Sequence, residues 1–411
     1  MFDKTYLLPA DALARIIDAL PARRPLTQML PIEDCYGRVL AADIASPEDL
    51  PAFPRSTVDG YAVRAEDTFG AKETSPTYIA LRYEVLMGEA PRFDLPNCVA
   101  AKIPTGGMLP LGADAVVMLE YVQQVSADMI EVLRPAAPGD NVIRQGEDVR
   151  KDTQVLRAGR MLRAQDIGAL AGIGMTSIEV FKQPVVSFIS TGDEIVSAGS
   201  PVHLGQVRDI NSFTLAGLVN SNGGILVKRG IFRDDYGIIR EAIEYALENS
   251  DMVLISGGTS AGAKDMTAAI INDIGGPGVL FHGVAAKPGK PMIGGVSHGK
   301  PIFGLPGHPA ATVVSFDLFV KPVIRKLSGR AVETEFAGTV KATMAKSIAS
   351  ASGREDHIRV YLEYNEGTIS AFPVLGKSGL ITTLVRAHGI VVIQNNKLGL
   401  DAGEEVDVRL F

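Results

Sequence analysis

At 411 residues the chain exceeds one ordinary core, so two to four domains are expected. Its 46% hydrophobic and 21% charged residues fit a soluble globular protein, and a net charge of −7 offers no basic field for nucleic acid or anionic lipid. No window approaches ~18 uninterrupted apolar residues, the first residues lack a signal-peptide core, and Cys35 and Cys98 have no metal-ligand spacing; the reading is a cytoplasmic protein with reduced thiols.

Residues 8–20 read as an amphipathic helix, with Leu13, Ile16, Ile17 and Leu20 at helical spacing and Asp11 near the start. In 46–63, Pro47, Pro51 and Pro54 stiffen a loop that presents Arg55 to Gly60. Alone, Asp59-Gly60 is also a plain turn. Residues 77–133 change to short β-like runs at 78–83, 99–103, 115–119 and 129–133, a small β-domain. Within it, Pro104-Thr105-Gly106-Gly107 offers a hydroxyl beside two flexible residues, or again a turn. The stretch 141–159 gathers Arg144, Glu147, Asp148, Arg150 and Lys151 around Gly146, a solvated face or part of a site. Residues 164–174 form a small-residue helix suited to close packing.

From 184 to 328 strand and helix alternate. Strands are expected at 185–190, 224–230, 252–255 and 301–305, and helices at 211–222, 236–249, 265–273 and 310–327. That order predicts a parallel, doubly wound sheet. Beyond 330, alternation at 358–364, 390–394 and 406–410 predicts a final β-domain.

Three of the strands run into glycine loops: Thr191-Gly192-Asp193-Glu194, Ser256-Gly257-Gly258-Thr259-Ser260, and Pro306-Gly307-His308-Pro309. Such loops aim backbone N–H groups at an anion, and ligands of open α/β sheets sit beyond the carboxyl ends of the strands. One shared site is therefore expected. Asp59, Asp148, Asp193, Glu194, Asp234, Asp235 and Asp265 lie in glycine-bounded loops, oxygen donors of the kind Mg²⁺ takes together with phosphate oxygens. Each also reads as a cap or turn residue, Asp265 as an N-cap. Lys287-Pro288-Gly289-Lys290-Pro291 fixes two lysines in a non-helical loop, suited to phosphate or oxyanion, or to a solvated turn. The six histidines form no cluster with cysteine, which excludes the usual zinc site. Ser256 and Ser260 lack the nucleophile-elbow spacing, which excludes serine hydrolysis. Residue chemistry thus reaches a binder of a phosphorylated or oxyanionic ligand with Mg²⁺.

The motifs also resemble a known family. Val58-Asp59-Gly60-Tyr61-Ala62-Val63, Pro104-Thr105-Gly106, Gly146-Glu147-Asp148, Ser190 to Glu194, Gly205 to Ser212, Ser256 to Asp265, Lys287 to Pro291 and Gly304 to Pro309 follow, in order, those of the MoeA family. These are the molybdopterin molybdenumtransferases, a family that includes the E domain of gephyrin. The resemblance implies an α/β multidomain chain in a four-domain, elongated homodimer. Its parts would be an N-terminal helix (1–26) packing on the α/β domain, a linker domain (27–46 and 141–177), an inserted β-domain (47–140), a doubly wound molybdopterin-binding α/β domain (178–328) and a C-terminal β-barrel (330–411). The reaction implied is Mg²⁺-dependent insertion of molybdate into adenylated molybdopterin with release of AMP. By this resemblance Asp59, Asp148, Glu194, Asp235 and Asp265 are catalytic, with Asp59, Glu194 and Asp265 on the metal. Thr105, Thr191, Gly257, Gly258, Ser260, Lys287, Lys290, Pro306, Arg354 and Ser378 bind the cofactor, and Lys290, Arg354 and Ser378 line the molybdate pocket. A molybdopterin adenylyltransferase is the implied partner.

Departures are present. Arg55-Ser56-Thr57-Val58 stands where the family usually has Asn-Ser-Ala-Met, and His308 replaces the Asn of Leu-Pro-Gly-Asn-Pro. Thr259 and Ala261 replace two valines. Those two are small changes that leave the glycines in place, whereas Arg55 and His308 raise the alternative of tungstate in place of molybdate, or of a variant pterin. Two further readings are an adenylyltransferase, opposed by the extra β-domains and Asp59, and a non-catalytic molybdopterin carrier or scaffold, opposed by the retained acids and lysines.

Overall fold

The computed structural model describes residues 6–22, 24–257, 261–331 and 338–411, with backbone alone for 261–264. The chain divides into two compact units: 1–28, 37–41 and 180–411 in the first, 29–36 and 42–179 in the second.

The first unit is built on a six-stranded sheet. Across it lie Ile225–Phe232, Val185–Thr191, Met252–Gly257, Lys300–Leu305, Ile293–Ser297 and Pro277–His282. The first four run parallel, as the strand–helix alternation predicts. Ile293–Ser297 departs from that expectation, running antiparallel to Lys300–Leu305 and to Pro277–His282, so the sheet is mixed. The reason is a tight hairpin. His298 and Gly299 take φ of 51° and 72°, the positive pair that a two-residue turn between right-twisted strands requires. With only that turn between strands, no crossover helix is possible.

Alternate residues of each parallel strand face opposite layers, which is what winds helices onto both sides. Val186, Phe188, Met252, Leu254, Phe303 and Leu305 pack under Pro9–Ala19, Asn211–Ser221 and the C-terminal helices of this domain, through Ile16, Leu215, Phe316 and Phe319. Ile189, Val253, Ile255, Ile293 and Ile302 face Tyr236–Glu248 and Ala261–Ile274 through Ile239, Ile243, Ile270 and Ile271. Complete burial of a Phe such as Phe188 or Phe303 contributes ~1.5–3 kcal/mol. The helix expected at 310–327 is Pro309–Ser315 and Lys321–Leu327 joined by a π-turn at Phe316–Val320. Ala261–Ile274 starts earlier than expected, so Asp265 lies inside it and is not its N-cap.

In the same unit, Glu355–Asn365, Thr368–Pro373, Thr339–Met344, Glu405–Leu410 and Gly389–Ile393 form a closed barrel. Closure follows because Glu355–Asn365 pairs with both Thr368–Pro373 and Gly389–Ile393. Val360, Ala371, Val391 and Val408 fill it. Ala286–Lys287 extends the barrel sheet in parallel beside Glu355 and Asp356, tying it to the α/β domain.

The second unit carries its own six-stranded sheet, in the order Ala115–Met118, Gly60–Val63, Val99–Ile103, Thr77–Glu84, Met129–Val132, Val122–Ser126. Its two faces bury separate clusters around Ile79 and Ile130, and around Ile103 and Val116. Beside it, helix Ala164–Gly172 starts on a capping carboxylate: Asp166, 4% exposed, accepts from the Arg163 backbone N–H at 2.9 Å and from the guanidinium of Arg160 at 2.9 and 3.1 Å. Burial pushes the Asp166 carboxyl up, but the Arg163 and Arg160 guanidiniums and that N–H outweigh it and hold it at about 2. Among the described residues no helix is long and apolar enough to cross a membrane.

Candidate functional site

The parallel strands end level. Thr191 stands opposite Gly257, and Ser256 opposite Leu305, so the loops that follow them open on one edge. Asn211, the first residue of helix Asn211–Ser221, joins two of the three. Its Nδ2 donates to Ser256 Oγ at 2.8 Å and to the Gly307 carbonyl at 2.9 Å. The Asn211 Oδ1 is buried without a partner, an acceptor held at the strand ends. Asp209 fixes this helix start by accepting from the Ser212 N–H at 3.1 Å. Asn211 lies in a stretch that carried the family resemblance, yet nothing in residue type alone gave it a role.

Beside this edge, Glu194 is half-buried, and its backbone carbonyl accepts from Val207 at 2.9 Å. Asp235 is the N-cap of Tyr236–Glu248, its Oδ1 accepting from the Ile238 N–H at 2.9 Å. The neighbouring Asp234 is different. Its Oδ1 is buried and has no hydrogen-bond partner, and burial followed by the charges of Asp193 and Glu194 pushes its carboxyl up. Of the two adjacent acids, the sequence reading selects Asp235, whereas the geometry leaves Asp234 with a buried, unused oxygen on a carboxyl that feels the charges of Asp193 and Glu194. Asp265 is exposed on its helix. Gly258 and Ser260 lie outside the described residues.

A cavity of about 800 Å³ lies between the α/β domain and the barrel. It gathers Lys287, Lys290, Pro306, Arg354 and Ser378, five residues of the predicted set that are distant in sequence. Asp356, 1% exposed, organises one wall: it accepts from Arg354 Nε at 2.8 Å and lies 3.8 Å from Lys287 Nζ. His308 forms another wall, its Nδ1 2.9 Å from Ser378 Oγ. The Ala310 N–H donates to the Ser378 carbonyl at 3.1 Å, which holds that loop against the start of the helix. Arg359 and Lys377 line it as well, so five cationic side chains outnumber the one carboxylate, and that excess suits a tetrahedral oxyanion or a phosphate.

In the second unit, Asp59 Oδ1 accepts from the Thr105 backbone N–H at 2.7 Å and from Thr105 Oγ1 at 2.9 Å. The N–H first and the hydroxyl second hold the Asp59 carboxyl below its ordinary value. The loops bearing the two are stitched together by Gly106 N–H to Ser56 O at 2.8 Å and Ser56 N–H to Gly107 O at 3.0 Å. Asp148 is exposed, and its N–H donates to Leu50 rather than toward Asp59. Arg55 is exposed on a short strand paired with Val142–Ile143.

Comparison with known proteins agrees along the whole chain. The MoeA N-terminal region (domains I and II) matches residues 8–174, a molybdopterin binding domain matches 187–326, and the MoeA C-terminal region (domain IV) matches 341–411. The chain is 32% identical to molybdopterin molybdenumtransferase 2 of Mycobacterium tuberculosis, over 96% of each chain. It is 30% identical to the molybdopterin molybdenumtransferase of Bacillus subtilis, over 100% of this chain and 96% of that one. The crystal structure of a molybdopterin biosynthesis MoeA protein from Pyrococcus horikoshii superimposes with a TM-score of 0.86 at 34% identity, covering 99% of this chain and 100% of the other. The chain belongs to the MoeA family, the molybdopterin molybdenumtransferases of molybdenum cofactor biosynthesis.

Proposed function

We propose that this enzyme inserts molybdate into adenylated molybdopterin in a Mg²⁺-dependent reaction that releases AMP. The observation that carries the reading is the cavity in which Lys290, Arg354, Ser378 and His308 meet beside the strand-end loops. Water attacks the adenylate phosphorus, the bond from that phosphorus to the bridging oxygen breaks, AMP is released carrying the water oxygen, and molybdopterin keeps the bridging oxygen on its phosphate. The freed molybdopterin then binds molybdate: its two dithiolene sulfurs form bonds to the metal while one oxo group leaves as water with the two thiol protons, the metal keeping its oxidation state.

In this reading Arg354 and Lys290 neutralise the oxyanion, and Ser378 with His308 orients it. Thr191, Gly257, Pro306 and Lys287 hold the pterin phosphate end, with Gly258 and Ser260 assigned there by family resemblance. A hard cation fits the acids. Among the described residues no three His, Cys, Asp or Glu side chains converge tightly enough to hold a metal alone. Mg²⁺ needs only one or two carboxylates and takes its other oxygens from phosphate and water. Family resemblance assigns Glu194, Asp265 and Asp59 as the candidates for those one or two donors, and the unused Asp234 oxygen is a further candidate. A Mg²⁺ held by such carboxylates would supply charge neutralisation at the phosphoanhydride and polarise the phosphorus under attack. Asp148 and Asp235 complete the assigned acids, Asp235 acting also through its cap. A homodimer, a cytoplasmic setting and docking of a molybdopterin adenylyltransferase belong to the same reading.

The test is reconstitution. Purified chain, adenylated molybdopterin, molybdate and Mg²⁺ should yield a product that activates a molybdenum-free apoenzyme. Omission of Mg²⁺ should abolish activation. Tight pterin binding with no activation under any condition would favour the carrier reading instead.

A further inference from the structure

The segment ahead of helix Pro9–Ala19 reaches the cavity. Leu7 forms a parallel bridge with Val284, and the Ala285 N–H donates to the Leu7 carbonyl at 2.8 Å. This lays Tyr6 on Gly283, where a β-carbon would stand 2.4 Å from Tyr6 Cε1, so the ring sits directly on glycine backbone. Gly283 and Val284 in turn pair with the far arm of the lysine loop: Gly283 N–H donates to Met292 O at 2.7 Å, and Val284 N–H to Lys290 O at 2.9 Å. The result places Lys290 Nζ over the Tyr6 ring, 4.4 Å from its centroid, with both residues lining the cavity.

Three of the cations that line the cavity, Arg354, Lys287 and Lys290, are held in different ways. Arg354 and Lys287 share the Asp356 carboxylate, which uses up part of their charge and donors. Among the described residues Lys290 has no carboxylate partner; its neighbour is an aromatic face. A ring attracts an ammonium through its quadrupole without accepting its N–H bonds or cancelling its charge. We propose that Tyr6 is a positioning residue of the oxyanion pocket, fixing the Lys290 ammonium while leaving its donors free for the ligand. The proposal rests on reading the cavity as that pocket.

The experiment uses the full chain and molybdate alone, titrated calorimetrically into wild type, Tyr6→Phe and Tyr6→Leu. Tyr6→Leu weakens molybdate binding about fivefold, the scale of a cation–π contact at an exposed ammonium. Tyr6→Phe keeps affinity within about twofold, since the ring alone carries the quadrupole. In AMP-release kinetics the KM for molybdate rises in Tyr6→Leu by the same factor, with kcat at saturating molybdate little changed. Gly283→Ala, whose β-carbon displaces the ring, reproduces the loss with Tyr6 still present. Unchanged affinity in Tyr6→Leu, or equal loss in Tyr6→Phe, overturns the proposal while leaving the pocket reading intact. A wild type that binds no molybdate overturns both.

Discussion

The carbonyl oxygen of Thr191 occupies the place where a side chain on Gly257 would begin, 1.8 Å from the position of its β-carbon. Gly257 also holds φ of +155°, a backbone state that L side chains rarely adopt. The neighbour is backbone in a buried parallel strand, so it cannot swing away. Gly257→Ala should therefore cost about 3 kcal/mol or more of stability, combining strain with overpacking. Denaturant unfolding monitored by circular dichroism measures this, and a loss under ~0.5 kcal/mol would refute the argument.

Asn211 links Ser256 and Gly307 through one amide nitrogen. Asn211→Leu fills similar volume but leaves a buried hydroxyl and carbonyl without that donor. A loss of about 2 kcal/mol is expected from two such groups. Pterin affinity should fall with it, because two strand-end loops lose their tie. Fluorescence titration with molybdopterin reads the second effect; stability loss with unchanged affinity would confine Asn211 to the scaffold.

Asp59 gives a pH signature. The Thr105 N–H and hydroxyl hold its carboxyl low. Thr105→Val removes the hydroxyl and keeps the N–H, so the Asp59 carboxyl rises. The acid limb of AMP release, which reports an ionised Asp59, moves to higher pH. Asp59→Ala should reduce turnover ~100-fold or more, the scale expected for loss of a group acting in the transition state, with thermal midpoint unchanged. Full metal insertion by Asp59→Ala would remove that loop from the chemistry.

Asp166 supplies a stability test in the second unit. Its folded carboxyl lies at about 2, below the ordinary 3.8, so its contribution is complete above the ordinary value. It fades as pH falls from there through 2. With both arginines partly exposed, the shift is discounted to about 1–2 kcal/mol. Asp166→Asn should lose that amount at pH 6 and progressively less below pH 4, by urea unfolding across the range. A pH-independent difference would mean that the charge pairing contributes nothing.

Much of the fold could be read from residues because alternation and burial coincide. Val186 and Phe188 face one layer and Ile189 the other, so the strand–helix pattern of the α/β domain carries its own topology. The antiparallel strands Pro277–His282 and Ile293–Ser297 escaped that reading. Two glycines mask the alternation of Ile293–Ser297, and its turn puts a histidine where Asn or Asp is the usual signal. In the site, Lys290, Arg354 and Ser378 were reachable by resemblance and meet in one cavity. Asp234 and Asp235 are indistinguishable as neighbours in a sequence; only the helix start decides which carboxylate caps and which keeps a free oxygen. Tyr6 carries no local signal at all, since its partner Lys290 is supplied by a loop far along the chain.

The central claim is an oxyanion-dependent transfer, and AMP release tests it most directly. Purified protein, adenylated molybdopterin and Mg²⁺ would be combined with molybdate, with tungstate, or with neither. AMP should appear with molybdate and stay at background without an oxyanion. Release with tungstate alone would reassign the metal, with His308 beside Ser378 as the first residue to exchange. No release with either oxyanion, from protein that binds the pterin tightly, would contradict the account.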